Sequence, residues 1–274
     1  MGNKVAAIDS IGRHNYAAKG HDYDTYLRSF IKGIPTESTE STWNNEESTD
    51  SILVIRGLGG GGQKAIRRCK AEGRDFYAMD TGYFGNGKHK TWHRITKNNL
   101  QNLGPIIERP YDRLSLIEYE YTPIYSGSKI LICPPSDKVM NLFNQATANE
   151  WVNATIEEIK KYTDRPVEVR MKPSRTDRIT TNTIQQALAN DVHCLVTYNS
   201  IAATEALMAG RAAISLGPNA AQIVSETDLS KIENPKVPNK DEMMAYMAHL
   251  SFCQFRQSEM EDGYAWKILQ ETYT

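Results

Sequence analysis

The sequence predicts an α/β chain built from two parallel-sheet domains facing a cleft, and three features of its 274 residues carry that expectation. A strand–loop–helix–strand rhythm runs through residues 51–79, and a second, longer one runs through residues 129–216. Between them lies a polar, irregular stretch rich in Tyr, Pro and Gly. Strands alternating with helical segments are what crossover connections in a parallel sheet require. The length suffices for two domains. The boundaries expected are 1–127 for the first, 128–255 for the second, and 256–274 for a C-terminal helix that packs either on the first domain or on its own.

Taken in order, residues 4–8 read as a strand that ends at Asp9, Ser10 and Gly12. Residues 22–32 place Tyr23, Tyr26, Leu27 and Phe30 on one face of a helix. Residues 35–50 are Ser, Thr, Asn and Glu with Trp43 as the one apolar anchor, which reads as a surface loop. Residues 51–55 form an apolar strand, 58–62 a glycine run, 63–71 a helix and 75–79 a returning strand before Asp80. The glycines fit neither G-x-G-x-x-G nor G-x-x-x-x-G-K-[ST], so they mark a close backbone approach rather than a nucleotide fingerprint.

The second rhythm begins with a strand at 129–133, halted by Pro134-Pro135-Ser136, and continues with a helix at 147–162. A strand at 167–171, a helix at 182–190 and a strand at 194–197 follow. An alanine-rich helix then starts after Ser200, and residues 212–216 return as a strand stopped by Gly217-Pro218. Helices at 240–255 and 259–271 close the chain, with Phe252, Phe255, Met260, Trp266 and Leu269 able to enter a core.

Composition narrows the class. With 40% apolar and 24% charged residues the chain has enough material for cores and is not a disordered polymer. Cys69, Cys133, Cys194 and Cys253 are widely spaced with no C-x-x-C pair, the pattern of buried thiols in a reducing compartment. No apolar run reaches membrane-spanning length, and the expectation is a cytoplasmic protein without membrane attachment, of undetermined oligomeric state. Net charge is −1, yet residues 52–113 hold twelve Lys or Arg against five Asp or Glu. If Arg56, Lys64, Arg67, Arg68, Lys70, Arg74, Lys88, Lys90, Arg94 and Lys97 shared one wall, it would hold a polyanion; otherwise they are ordinary solvated charges.

The richest stretch for chemistry is 192–210, where an apolar strand gives way through Thr197, Asn199 and Ser200 to a helix carrying Thr204 and Glu205. Backbone N–H groups at such a helix start can hold phosphate, and Ser200 serves either as a phosphate ligand or as a cap. Glu205 lies among alanines, so its carboxylate needs a partner: a ligand hydroxyl, solvent or Arg211. Arg170, Lys172, Arg175 and Arg178 gather at the end of the 167–171 strand, where they can neutralise the phosphates of a leaving nucleotide. If the strand runs through them, alternation puts Arg170 and Lys172 on one side. Asp80, at the end of its own strand, is the candidate catalytic base, with a tight-turn acceptor as its competing role. Asp9, His14, Asp22, His89 and His93 are further candidates, and no zinc motif accompanies the histidines, so no metal is expected.

Four segments in order resemble the donor domain of GT-B type glycosyltransferases, in the compact branch that includes phage DNA-hydroxymethylpyrimidine glycosyltransferases and capsule-polysaccharide transferases. They are Lys129-Ile130-Leu131-Ile132-Cys133-Pro134, Val169-Arg170-Met171-Lys172-Pro173, Thr197 through Leu207, and Ala212-Ala213-Ile214-Ser215-Leu216-Gly217. The resemblance implies two Rossmann-like domains facing a cleft. It also implies a nucleotide-diphosphate sugar donor, UDP-linked, as substrate rather than a tightly bound cofactor, held by Arg170, Lys172, Asn199, Ser200, Thr204 and Glu205, with Asp80 as base. Where many relatives carry a basic residue and a histidine before proline this chain has Met171-Lys172-Pro173; if that histidine touches phosphate, either Lys172 takes its place or the donor is held differently. The acceptor implied is 5-hydroxymethylcytosine in duplex phage DNA lying along residues 52–113, with a polysaccharide or small acceptor, or a non-catalytic nucleotide-binding module, as alternatives.

Overall fold

The computed structural model describes residues 5–8, 24–35, 38–40, 52–59, 61–84, 91–173, 177 and 181–273, with backbone alone at 5–8, 24, 38–40 and 52. Asp9, His14, Asp22, Tyr23, Trp43, Lys88, His89, Lys90, Arg175 and Arg178 lie outside the described residues. The chain forms two compact units, Met1–Asn102 with Ser251–Thr274, and Leu103–Leu250.

The first unit is built on β1 (Val5–Ile8), α1 (Asp24–Lys32), β2 (Ser38–Glu40), β3 (Ile52–Arg56), α2 (Gly62–Glu72), β4 (Phe76–Thr81) and β5 (His93–Lys97). With β10 (Gln254–Phe255) they make a six-stranded sheet in the order β10-β5-β4-β3-β1-β2. From β2 to β4 the pairings are parallel, and β5 and β10 add antiparallel pairings at one edge. Two elements depart from expectation. The stretch read as a loop contributes β2, and the stretch read as irregular contributes β5. Within the glycine run Gly62 is needed where it stands, since a Cβ on it would lie 2.4 Å from the carbonyl oxygen of Gly57. That permits α2 to start directly against the end of β3.

The first unit's core joins Val54, Tyr77, Met79 and Ile95 of the sheet to Leu27, Phe30 and Ile31 of α1. The terminal segment closes it through Phe252, Phe255, Met260, Ile268 and Leu269, and Trp266 packs against Phe30 and Tyr77. Burying one such aromatic or aliphatic side chain contributes roughly 1.5–3 kcal/mol. Gln254 is fully buried and explains why the expected 240–255 helix breaks early. Its side chain accepts from the N–H groups of Tyr83 (2.7 Å) and Phe84 (3.3 Å), and its backbone is in strand pairing with Arg94.

The second unit contains α3 (Asp112–Ser115), β6 (Lys129–Ile132), α4 (Asp137–Leu142), α5 (Ala148–Ile159), β7 (Val167–Val169), α6 (Ile184–Ala189), β8 (Val192–Thr197), α7 (Ala202–Met208), β9 (Ala212–Ser215) and α8 (Lys240–Ser251). Its sheet is wholly parallel, ordered β7-β6-β8-β9. All six residues of β8 are buried, as a central strand covered on both faces requires. Ile130, Ile132, Cys194, Val196, Ala212 and Ile214 meet Val152 and Ile159 of α5 in the core. Capping boxes start α5 (Thr147 with Glu150) and α6 (Thr183 with Gln186). From Ser251, the last residue of α8, the chain belongs to the first unit and continues through β10, α9 (Gln257–Glu261) and α10 (Tyr264–Tyr273). In the second sheet the connection from β6 runs to β7 on one side, and the next strand, β8, lies on the other. The order therefore reverses between β6 and β8, and the crevice outside their carboxyl ends is where open parallel sheets receive ligands.

Candidate functional site

At that reversal the residues after β6 and β8 lock together. Cys133 donates its N–H to Val196 (2.9 Å), and the Thr197 hydroxyl donates to the Cys133 carbonyl (2.6 Å). Ser200 N–H donates to Thr197 Oγ1 (3.3 Å), Ala202 N–H to Ser200 Oγ (3.2 Å), and Ala203 N–H to the Ser200 carbonyl (3.3 Å). The turn thus caps itself, and the N–H groups of Ser200, Ala202 and Ala203 are spent on it. Asn199 donates its side chain to Pro218, and Asn219 donates to Ser200 (2.8 Å). Thr204 is fully buried and shares a 2.8 Å hydroxyl bond with Tyr246. Three polar residues singled out in the sequence therefore have structural work: Asn199 and Ser200 in the turn, Thr204 in the core.

Arg170, Lys172 and Glu205 are the candidates that the fold brings together. β7 ends at Val169, one residue before Arg170, so strand alternation does not place Arg170 and Lys172. Their common reach to Glu205 does. Glu205 is half-buried on α7, and burial pushes its carboxyl up to about 7, against the pull of Arg170, Lys172 and a hydrogen bond from Gln185. The Cys133 thiol, pushed up to about 12 by burial, feels the same Arg170 and Glu205. Arg211 is not the partner of Glu205. It is buried, donates to the carbonyls of Leu188 (3.1 Å) and Val192 (2.8 Å), and stacks 3.6 Å over the Tyr125 ring.

Two side chains that sequence reading passed over complete the site. Asn182 accepts from Arg170 Nε at its Oδ1 (3.2 Å) and from Nη2 at its carbonyl oxygen (2.5 Å), and Gln185 reaches Glu205. The capping box at Thr183 and Gln186 was a readable sign that a helix starts there. Beside the site an open pocket of about 410 Å³ is lined by Glu168, Arg170, Thr181, Asn182 and Gln186 among others.

Asp80 belongs to the first unit. One carboxylate oxygen accepts from the Thr81 N–H (2.7 Å) and the other from Arg94 (3.3 Å), the engagement of a turn acceptor. His93 is buried with Nε2 3.0 Å from Arg56 and Tyr26 stacked on its ring. The described members of the basic block differ in their settings. Arg56, Arg94 and Arg113 are buried, Arg68 pairs with Glu72, Lys97 pairs with Asp75, while Lys64, Arg67 and Lys70 are exposed. All four cysteines are free and buried. Among the described residues no group of three or more His, Cys, Asp or Glu is placed to hold a metal ion, and no helix is long and apolar enough to cross a membrane.

No family model matches the chain, and no curated protein matches it by sequence. Solved structures do. The fold is similar to the Thermosulfurimonas dismutans KpsC beta Kdo 2,7 transferase, with a TM-score of 0.51 and 10% identity over 99% of this chain and 100% of that one. The beta Kdo 2,4 transferase of the same KpsC aligns with a TM-score of 0.49 and 14% identity over 90% and 91% of the two chains. What the first of these shares with this chain is the fold, along its whole length.

Proposed function

We propose that this chain is a glycosyltransferase whose second unit holds a phosphate-bearing, nucleotide-activated sugar. The observation that carries the reading is the convergence of two cations, Arg170 and Lys172, on the half-buried carboxyl of Glu205 beside the point where the parallel sheet reverses its strand order. In this reading Arg170 and Lys172 neutralise donor phosphate, and they stabilise the charge that gathers on it as the bond to the sugar breaks. Glu205 accepts a hydrogen bond from a donor hydroxyl. The Thr197–Ser200 turn supplies rigidity, with the Ser200 N–H bonded to Thr197 and the Ala202 N–H to Ser200. The whole-length fold likeness to a transferase of Kdo supports glycosyl transfer as the chemistry.

The acceptor in the proposal is a hydroxyl group. A hydroxymethylated base in DNA remains within it, although the burial and pairing of much of the 52–113 basic block lend that acceptor little support.

Calorimetric titration with nucleoside mono- and diphosphates, followed by a nucleotide-sugar panel offered hydroxymethylated DNA or oligosaccharide, tests the reading by mass analysis of products. Binding that falls at least tenfold in Arg170→Ala, together with transfer of sugar mass to an acceptor, is the expected result. Binding without transfer or donor hydrolysis would make the chain a nucleotide-binding module, and no binding would remove the donor site altogether.

A further inference from the structure

We infer that the turn from Asn182 to Gln186 is the positioning element of the donor site, holding the Arg170 guanidinium through Asn182 and the Glu205 carboxyl through Gln185. The inference rests on the proposed donor site. Its basis is that one short, internally braced segment touches both of the oppositely charged groups there. Asn182 fixes Arg170 by two bonds, at 3.2 Å from its side-chain oxygen and 2.5 Å from its carbonyl oxygen. One residue later Thr183 and Gln186 brace each other, with Gln186 N–H 3.1 Å from Thr183 Oγ1 and Thr183 N–H 2.9 Å from Gln186 Oε1. Gln185, held inside that box, hydrogen-bonds Glu205.

The consequence is preorganisation. A free arginine side chain loses rotamer freedom when it grips an anion, whereas Arg170 is already held by two bonds. Glu205 is likewise held in one orientation, which matters because a carboxylate turned toward the anion would repel it. Among the described residues, Arg170, Lys172, Gln185 and the Cys133 thiol are the charged, polar and titratable groups that act on Glu205 or feel it, and Cys133 feels Glu168 as well. With the thiol pushed up to about 12, Glu205 is the group in this set that titrates near neutrality.

Sulfate is the probe, since it stays dianionic from pH 5 to 9, and Arg170→Ala identifies the part of its affinity that belongs to the site. In the wild-type chain sulfate affinity falls as pH rises through about 7, when Glu205 ionises beside the anion. Gln185→Ala removes a bond that favours the ionised carboxyl, so the midpoint moves upward, by about half a unit or more. Asn182→Ala weakens sulfate by about fivefold at every pH without moving the midpoint, because the carbonyl bond to Arg170 survives and the side-chain bond does not. Glu205→Gln abolishes the pH dependence. Tyr246→Phe, a core change, lowers the melting temperature and moves neither quantity. A wild-type midpoint in Gln185→Ala together with wild-type affinity in Asn182→Ala overturns the positioning role. Sulfate binding that is undetectable, or indifferent to Arg170→Ala, overturns the donor site and the inference with it.

Discussion

The hydroxyls of Thr204 and Tyr246 lie 2.8 Å apart in the interior of the second unit, each on a fully buried side chain. Thr204, one position before Glu205, reads as a ligand contact in the sequence, and in the fold it bonds to α8. Thr204→Val keeps the shape and removes the bond, so it should lower unfolding stability by about 1–2 kcal/mol. Tyr246→Phe should do the same, and the double variant should cost less than the sum of the two. Nucleotide affinity should stay within twofold of wild type. Urea unfolding with calorimetric binding checks both, and a tenfold loss of affinity with unchanged stability would return Thr204 to the ligand site.

Glu205 makes stability depend on pH with a definite sign. Its carboxyl titrates near 7 in the folded chain against an ordinary value of 4.5. Between these values the folded chain keeps a proton that the unfolded chain releases, so this contribution is complete below about 4.5 and is lost as pH rises toward 7. The difference in unfolding free energy between wild type and Glu205→Gln should therefore shift against the wild type from pH 4.5 to 7, then level off. A difference that does not change across that window would show that Glu205 titrates normally.

What could be read in advance follows from what each pattern reports. β8 was legible because Val192–Thr197 is a largely apolar run, and α6 lies within the helix expected over 182–190. β2 escaped because Ser38-Thr39-Glu40 has no apolar face; its register comes from pairing with β1. β5 escaped for a related reason. His93 and Arg94 look solvated in sequence, yet they are buried because Arg56, Asp80 and Thr81 meet them across the sheet. At the site, the charges of Arg170, Lys172 and Glu205 were visible as chemistry. The polarity of Asn199, Ser200 and Thr204 was equally visible, and the fold engages Asn199 and Ser200 in a turn and Thr204 in a core bond. Asn182 and Gln185 were missed because an amide at a helix entry is commonplace, and their partners sit 12 and 20 positions away.

Asp80 separates two roles cleanly. Its side chain is 55% exposed and its partners are Thr81 and Arg94, an arrangement worth about 1 kcal/mol or less at a surface. Asp80→Ala should therefore leave stability nearly unchanged and lower turnover by less than tenfold. A general base contributes roughly 10²- to 10⁴-fold. A loss of that size in kcat, with donor affinity intact, would establish Asp80 as the base after all.

Gly217 and Tyr198 fix the end of β8 against the end of β9. A Cβ at Gly217 would lie 2.5 Å from Cζ of the Tyr198 ring and 2.6 Å from its two Cε atoms, so the ring rests on bare backbone. Phe143 and Trp151 meet the same ring edge-on, at centroid distances of 5.8 and 6.3 Å, and limit where it can go. Gly217→Ala must push the ring into them and should cost about 1–3 kcal/mol, as overpacking does. Because Tyr198 directly precedes the self-capping turn at Asn199 and Ser200, the same substitution should also weaken nucleotide binding. Removing the ring makes room for the methyl group. In a Tyr198→Ala background, Gly217→Ala should then cost less than about 1 kcal/mol, a coupling that urea unfolding of the four proteins measures directly. Equal costs in the two backgrounds would mean that something other than the Tyr198 ring requires glycine at this position.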